Sequence, residues 1–451
     1  MILSGIVLIL LCLFIYFNKY FKVDGFKPWV FPSLFLLKVI FAVIVWYYYY
    51  YIAGYKNDSD MYLYFNEANA IFNKLKFKNS EILKIVLGLP THDETKQILN
   101  ATCGWNKSVD YGIINDNRIM FKVNLLIRFF SNGIFWIHLI LFTFCAFFGL
   151  FNILKGLELI FKNQKRLIIL SIFILPSSLI WLGGIYKESL LIFCIGGLFY
   201  SISKISILKK IDFQSAFLFM LYLVLLLTTK PLYSFCFLFA FMVFLFTKNS
   251  SSRIIFKNYN ITFFLLLTLS MTALVINDSY SNSTKTSIKN GESFNFAKLL
   301  SFKQEDFLND AKVEGANTFS QTIILDGSYR AFAIGVPDAL INSFLLPVNY
   351  RLNRFEILPF FVESILIIIL LVLSVIFPFH VEEINLKRLL FYFSFLVLIA
   401  LGLLIPIIGL TIKYRSVIIP FLFGISALAI DWDKIFPSIK LKTLFNSKKR
   451  N

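Results

Sequence analysis

Long apolar stretches alternate with polar segments over the whole chain. Stretches of about 18 or more mostly apolar residues recur, and each is a candidate transmembrane helix. The pattern predicts about eleven spans, at residues 2–18, 34–53, 132–154, 167–183, 188–202, 216–229, 231–247, 261–277, 357–378, 389–411 and 415–430. We therefore predict an all-α polytopic integral membrane protein in which residues 1–451 form a single transmembrane helical bundle.

The composition is too apolar for a soluble protein. Hydrophobic residues make up 58% of the 451 positions, charged residues make up only 16%, and the mean hydropathy is +0.74. A soluble core cannot absorb that much apolar surface. Of the five cysteines only Cys103 lies outside a predicted span, so the sequence defines no disulfide framework.

The net charge of +18 is unevenly divided between the polar segments. The segments on one predicted face hold 21 Lys or Arg against 7 Asp or Glu, and they include the basic tail 431–451. The two large loops of the other face, 55–131 and 278–356, are nearly balanced. Because basic loops stay in the cytoplasm, we expect both large loops to be exoplasmic, the N-terminus outside and the C-terminus cytoplasmic. The basic tail then lies beside anionic lipid, and we expect no nucleic-acid partner.

The first large loop opens with a predicted amphipathic helix that would lie in the membrane interface. Its apolar positions repeat at helical spacing and are Met61, Phe65, Ala68, Phe72 and Leu75. The second large loop begins with a polar stretch rich in Ser, Asn and Lys. Nothing on the cytoplasmic side is long enough to fold as a domain, so we expect the chemistry to be exoplasmic.

Ionisable residues are scarce inside the predicted spans. Lys38 lies near a predicted cytoplasmic end, where its side chain can snorkel, and Glu363 lies near an exoplasmic end. Ion-coupled transporters need polar groups near the midplane, so this class is disfavoured. The three histidines stand apart without zinc-site spacing, and no nucleotide-binding or hydrolase motif is found.

Charged residues gather instead at the exoplasmic ends of the predicted spans. The candidates for catalysis follow span 2 or occupy the turn between spans 4 and 5, and they are Asp58, Asp60, Lys187 and Glu188. The candidates for substrate binding lie in the second large loop and in the turn before span 11, and they are Arg330, Arg351, Arg354 and Arg415.

Each candidate also has a purely structural interpretation. Asp60 could cap the interfacial helix, whose first N–H groups lack intrahelical partners. Lys187 and Glu188 could form an ordinary ion pair, and the arginines could anchor their loop to lipid headgroups. Taken together, however, these residues suit a lipid-linked diphosphate. Arginine binds phosphate oxygens in a forked geometry, and a carboxylate can accept the proton of a sugar hydroxyl that attacks an anomeric carbon.

Three short segments carry a family resemblance. "GYKNDSDMYLYFNEA" resembles a motif after an early span of EpsG- and Wzy-type membrane polysaccharide polymerases. "PSSLIWLGGIYKES" stands at their polar break between helices, and "KYRSVIIPFLFG" resembles their late Arg-containing segment. The chain departs from that pattern at Lys187–Glu188, where Arg-Gln is expected.

The resemblance implies an enzyme of the bacterial inner membrane that polymerises polyprenyl-diphosphate-linked glycans for O-antigen or exopolysaccharide. It implies no cofactor, and it implies polysaccharide export or flippase components as partners. Asp58 or Asp60 would activate the acceptor hydroxyl, and the arginines would hold the leaving polyprenyl diphosphate.

Two alternatives remain open. The early acidic motif also resembles the first exoplasmic loop of GT-C glycosyltransferases, which move one sugar from a polyprenyl phosphate and can use a divalent metal there. A non-enzymatic flippase or assembly scaffold is the other alternative.

Overall fold

The computed structural model describes residues 2–55, 59–75, 78–89, 91–102, 105, 117–161, 164–209, 213–249, 258–270, 296–313, 323–345, 357–381 and 383–435. Within these ranges the ordered elements are helices, apart from one isolated antiparallel bridge between Pro378 and Ile430. This confirms the all-α prediction. The chain divides into two compact units, the first comprising Met1–Ser234 and Trp432–Asn451 and the second Phe235–Asp431.

Eleven helices belong to unit 1. They are α1 (Ile2–Phe17), α2 (Val30–Tyr47, continued by a π-helical turn, Tyr48–Ile52), α3 (Asp60–Lys74), α4 (Asn79–Leu87), α5 (Asp93–Asn100), α6 (Arg118–Ser131), α7 (Phe135–Ile160), α8 (Lys165–Phe173), α9 (Pro176–Trp181), α10 (Lys187–Leu208) and α11 (Phe213–Thr229).

The next helix, α12, begins in unit 1 and continues into unit 2. The helices from there on are α12 (Pro231–Asn249), α13 (Tyr259–Ser270), α14 (Phe296–Val313), α15 (Tyr329–Leu340, continued by a π-helical turn, Ile341–Leu345), α16 (Leu358–Ile376), α17 (Ile384–Leu404), α18 (Ile408–Arg415) and α19 (Ile419–Leu428). A short helix α20 (Trp432–Ile435) belongs to unit 1.

The predicted count of eleven spans is wrong for the part of the chain that the structure describes. Six helices there are long and apolar enough to cross a membrane, or seven if α18 and α19, which meet at 58°, form one broken span. The six are Val30–Ile52, Phe135–Ile160, Lys187–Leu208, Pro231–Lys248, Leu358–Ile376 and Ile384–Leu404.

Short helices and one proline explain most of this difference. Helices α1 and α11 have only 16 and 17 residues, so at about 1.5 Å per residue they fall short of a hydrocarbon core of about 30 Å. Predicted span 167–183 is split by Pro176, because proline at the first position of α9 cannot continue α8. Part of predicted span 261–277 lies outside the described residues.

Helices α7 and α10 form the core of unit 1. They cross at Gly149 and Gly196, where a Cβ on Gly196 would stand only 2.1 Å from the Gly149 carbonyl oxygen. Only glycine permits this approach, and it brings Phe148 of α7 within 5.9 Å of Phe193 of α10, measured between ring centres. The crossing fixes the position at which α10 begins.

The predicted exoplasmic loops are more structured than expected. The segment 55–131 contains α3, α4, α5 and α6, and the apolar stripe of α3 packs against α6 in protein instead of facing outward. It is therefore not the membrane-surface helix that its pattern suggested. Most of the polar start of 278–356 and all of 436–451 in the basic tail lie outside the described residues. Whether residues 1–451 assemble as one bundle stays a prediction.

Candidate functional site

One end of unit 1 gathers the ends of four helices inside a ring of aromatic side chains. Helix α2 ends there, and α3, α7 and α10 begin there. Trp46 donates its indole N–H to the Tyr62 hydroxyl at 3.0 Å, and its ring lies 4.6 Å from Trp136. Tyr62 stacks on Phe135 at 4.6 Å. Tryptophan and tyrosine favour the membrane–water interface, so this end has the composition of an interfacial belt.

The break between α9 and α10 positions the residues of this site. Gly184 adopts a φ of +82°, and its N–H donates to Thr143 Oγ1 of α7 at 2.9 Å. The Ser189 hydroxyl donates to the Gly184 carbonyl at 2.9 Å. A side chain at Gly184 would meet the Met61 methyl group at 2.9 Å, so the break also packs on the start of α3. These contacts fix the start of α10 and so position Lys187 and Glu188, its first two residues.

Glu188 is the most unusual residue at this end. It is only 1% exposed, and its Oε1 has no hydrogen-bond partner among the described residues. Lys187 is 7% exposed, and its Nζ lies 5.8 Å from the centre of the Tyr64 ring. Successive helical residues do not face each other, which disfavours a direct pair, and the ion-pair interpretation of Lys187 and Glu188 stays a prediction. A buried carboxylate oxygen without a donor is a candidate for a ligand or a transferred proton.

Asp60 lies close to the same break. It occupies the first turn of α3, where a negative charge interacts favourably with the helix dipole. Ser59 takes the N-cap position. The Ser59 side chain makes no capping hydrogen bond, so a purely structural role of Asp60 at the start of α3 stays a prediction. Burial raises the pKa of the Tyr186 hydroxyl well above its usual value, and the charges of Tyr49, Asp60 and Glu188 raise it further. Tyr186 thus lies within electrostatic reach of both carboxylates.

Sequence reasoning missed a second polar group beside this break. Lys38 is fully buried in α2 and donates its Nζ to the Ser178 carbonyl of α9 at 2.7 Å. The expectation that it snorkels from a helix end is wrong, because α2 begins at Val30, a full two turns earlier. The buried Ser178 Oγ and Trp181 Nε1 have no hydrogen-bond partners among the described residues. A lysine inside an apolar run was the available signal, since such residues are rarely placed there without a role.

Arg415 lies in unit 2, and most of the donors of its guanidinium group are hydrogen-bonded to the surrounding protein. It is 1% exposed, and its two terminal nitrogens donate to protein oxygens at 2.9–3.4 Å. The acceptors are the carbonyls of Ser343, Phe344 and Phe360 and the hydroxyl of Ser364. Only the buried Nε–H remains without a partner among the described residues. A forked diphosphate contact would require Arg415 to release some of these bonds, and its binding role stays a prediction.

The remaining predicted residues do not join this site in the described chain. Arg330 is exposed in the first turn of α15, in unit 2. Asp58, Arg351 and Arg354 lie outside the described residues. Of the catalytic candidates, the structure therefore brings Asp60, Lys187 and Glu188 to one end of unit 1. The described arginine candidates belong to the other unit.

No group of three or more His, Cys, Asp or Glu side chains is arranged for a metal ion among the residues described. Because Asp58 is not among them, the divalent-metal alternative stays a prediction. Comparisons of the chain with known protein families, with curated proteins and with solved structures find no match.

Proposed function

We propose that this protein is a membrane-embedded polymerase or glycosyltransferase that acts on polyprenyl-diphosphate-linked glycans in surface polysaccharide biosynthesis. The observation that carries the proposal is the buried Glu188 carboxylate, whose Oε1 finds no donor among the residues that the structure describes, at the aromatic end of unit 1 near Asp60. A glycan is too polar for the bilayer and a polyprenyl chain too apolar for water, so their reaction belongs at such an interface.

The reaction proposed is glycosyl transfer to a sugar hydroxyl. Glu188 or Asp60, or Asp58 in the adjoining segment, takes the hydroxyl proton as the oxygen attacks the anomeric carbon. The bond between that carbon and the diphosphate oxygen breaks, and the polyprenyl diphosphate leaves with the negative charge. Lys187 is the nearby cation of unit 1 that could bind these phosphates. Arg330, Arg351, Arg354 and Arg415 are the further candidates.

The proposed location is the bacterial inner membrane, with both large loops and the N-terminus outside and the tail in the cytoplasm. The excess of Lys and Arg on one set of polar segments supports this orientation. Reporter tags near Asn282 and near Lys449 should then label opposite sides of the membrane. Finding both tags on one side would overturn the orientation and, with it, an exoplasmic reaction. The proposed partners are the bilayer, the lipid-linked glycan and export or flippase components.

The experiment replaces the acids in the native host without changing their shape. Glu188→Gln and Asp60→Asn should leave protein abundance unchanged and lower glycan polymerisation by roughly 100-fold or more, since a general base contributes about 10²–10⁴ in rate. The readouts are the chain-length profile of the surface glycan and the amount of polyprenyl-diphosphate-linked repeat unit, which should accumulate.

The matched control is Glu158→Gln at the far end of α7. Glu158 pairs with Lys165 at 2.6 Å and belongs to the same unit, so its loss should leave the glycan profile unchanged. Full polymer from both Glu188→Gln and Asp60→Asn would contradict the proposal. Loss of one sugar from an otherwise complete glycan would favour the single-sugar GT-C alternative. Unchanged polymer with a defect in lipid-linked glycan transport would favour the flippase alternative.

A further inference from the structure

Three buried side chains between α6 and α7 form a hydrogen-bonded chain of serine, histidine and asparagine. Ser131 Oγ lies 2.8 Å from His138 Nε2, and His138 Nδ1 lies 2.7 Å from Asn124 Oδ1. All three side chains are fully buried. This is the order of nucleophile, base and orienting group that activates a serine hydroxyl in acyl-transfer enzymes of unrelated folds.

The partners of Asn124 determine the histidine tautomer. Asn124 Nδ2 donates to the Met120 carbonyl at 2.8 Å, so Oδ1 is the atom that faces His138. An acceptor at that position requires a proton on His138 Nδ1. The lone pair on Nε2 is then free to accept the Ser131 hydroxyl proton, as a general base does. The reverse tautomer would place Nδ1 and Oδ1 lone pair against lone pair.

Three of the polar side chains around this site lie on one face of α6. Asn124, Arg128 and Ser131 are spaced at i, i+4 and i+7 and therefore share that face. The turn after Ser131 lies against two incompletely paired groups. A Cβ on Gly133 would stand 3.1 Å from Arg128 Nε and 3.2 Å from Asn69 Oδ1. Both buried atoms lack hydrogen-bond partners within the described chain, so a charged donor and an acceptor lie unused beside the serine.

The surroundings of this group are those expected at a membrane boundary. The opposite face of α6 exposes three large apolar side chains, Leu126, Phe129 and Phe130. His138 lies one turn inside α7, whose apolar span begins at Phe135. Such a position is level with the interfacial region, where the ester bonds of lipids and of lipid-linked molecules lie.

We propose that Ser131 is a nucleophile, activated by His138 and Asn124, that cleaves carboxylic esters at the membrane interface. The Ser131 oxygen attacks the ester carbonyl carbon while its proton passes to His138 Nε2. The carbon–oxygen bond of the ester breaks, and the departing alcohol receives that proton. Water then attacks the acyl-serine, returns a proton to Ser131 through His138 and releases the carboxylic acid. Arg128 Nε–H is the donor for the oxyanion that forms in both steps.

Access to the hydroxyl requires the turn above it to move. Ser131 itself is covered, but the next residue, Asn132, is exposed and Gly133 is half-buried. The reaction is independent of the glycosyl transfer proposed for Asp60 and Glu188, so either activity can fail without the other.

A fluorophosphonate probe tests the inference, because it reacts covalently with activated serine hydroxyls. The full chain, purified in detergent at neutral pH, should gain one probe mass, and peptide mapping should place it at Ser131. Prior heat unfolding should abolish labelling. Ser131→Ala should remove the label, whereas Ser201→Ala should keep it, because Ser201 is a buried serine of α10 whose hydroxyl donates to the Gly197 carbonyl at 2.8 Å.

His138→Gln separates activation from mere burial. If His138 is the base, the labelling rate should fall by roughly 100-fold or more while the elution volume in gel filtration stays unchanged. A folded wild-type chain that takes no label at Ser131 overturns the inference, whatever the variants do. Labelling at Ser131 that His138→Gln leaves unchanged also overturns it, because the hydrogen bonds would then be structural.

Discussion

Both compact units interrupt apolar helices and bring charged side chains to the interruption. At the break between α18 and α19, Arg415 donates to oxygens of Ser343, Phe344, Phe360 and Ser364. At the break between α9 and α10, Glu188 is buried with one oxygen unpaired within the described chain. At the first break the charged group is bonded to oxygens of the protein itself, whereas at the second an acidic oxygen has no partner in the described chain.

This difference separates two reasons for burying a charge. A buried ion whose polar atoms are almost all paired holds neighbouring segments together, and its removal strands several acceptors at once. An incompletely paired buried charge is costly to maintain, so it is a candidate for binding a substrate or transferring a proton. On this basis we propose that unit 1 carries the reaction site and that Arg415 first holds unit 2 together.

The largest effect should come from removing Arg415. Arg415→Ala removes four hydrogen bonds from a buried charged donor to protein oxygens, and breaking a buried charged network of this kind costs on the order of 3–5 kcal/mol. Lysine has no fork to reach the same acceptors, so Arg415→Lys should also destabilise. The measurement is the thermal midpoint and the monodisperse fraction in detergent.

Arg330→Ala is the matched control for Arg415. Arg330 is exposed, and its replacement should change the unfolding free energy by less than about 0.5 kcal/mol. Equal stability of the two variants would mean that Arg415 is not structural, and the contrast between the two breaks would be lost.

An intermediate effect is expected from Gly184→Ala in unit 1. Alanine at a φ of +82° costs about 1–2 kcal/mol, and its methyl group would meet Met61 at 2.9 Å. Because the break positions Glu188, glycan polymerisation should fall together with the thermal midpoint. Gly409→Ala in α18 should be neutral or stabilising by up to about 1 kcal/mol, since nothing lies within 4 Å of a Cβ there. Equal effects of the two replacements would argue against a strained, site-forming break.

The smallest effect concerns Glu81, a fully paired acid that contrasts with Glu188. Glu81 accepts hydrogen bonds from Lys84 at 2.7 Å and Thr95 at 3.0 Å, joining α4 to α5. The pKa of Glu81 is lowered from 4.5 to about 2, and the hydrogen bond from Lys84 is the largest of the causes. Its contribution to stability should therefore be complete above about pH 4.5 and be lost as the pH falls towards 2.

The thermal midpoint measured from pH 6 to pH 2 checks this expectation. Wild type should lose more stability over that window than Glu81→Gln, which cannot titrate. Glu94→Gln removes an exposed acid that pairs with Lys78 at 2.9 Å and should follow the wild-type curve closely. Parallel curves for wild type and Glu81→Gln would show that the pairing contributes nothing.

Hydropathy located most of the apolar helices but did not show whether each one is long enough to cross a membrane. The predicted spans 132–154, 188–202 and 357–378 each fall within or close to an observed helix, because long apolar runs are a local property. For the same reason hydropathy predicted α1 and α11 as full membrane spans, although both helices are too short. It also smoothed over Pro176, which divides one predicted span into α8 and α9.

The site was harder to predict because burial depends on distant partners. Lys187, Glu188 and Asp60 were found because they interrupt or follow apolar runs. The stripe of α3 looked like a lipid-facing surface, and only its packing against α6 shows that protein covers it. Ser131 and Asn124 carried no signal, since their meeting with His138 depends on the angle between α6 and α7.

The bond between Lys38 and Ser178 has a consequence for biogenesis. Its partners are 140 residues apart, so at about 5–20 residues per second α2 is synthesised roughly 7–28 s before α9 exists. A lysine at the centre of an inserting helix costs about 2.5–3.5 kcal/mol, which the other residues of α2 can outweigh. During that interval the ammonium group has no native acceptor. Chains truncated before Ser178 should therefore keep α2 beside the insertion machinery, and release into lipid should follow only once α9 has emerged.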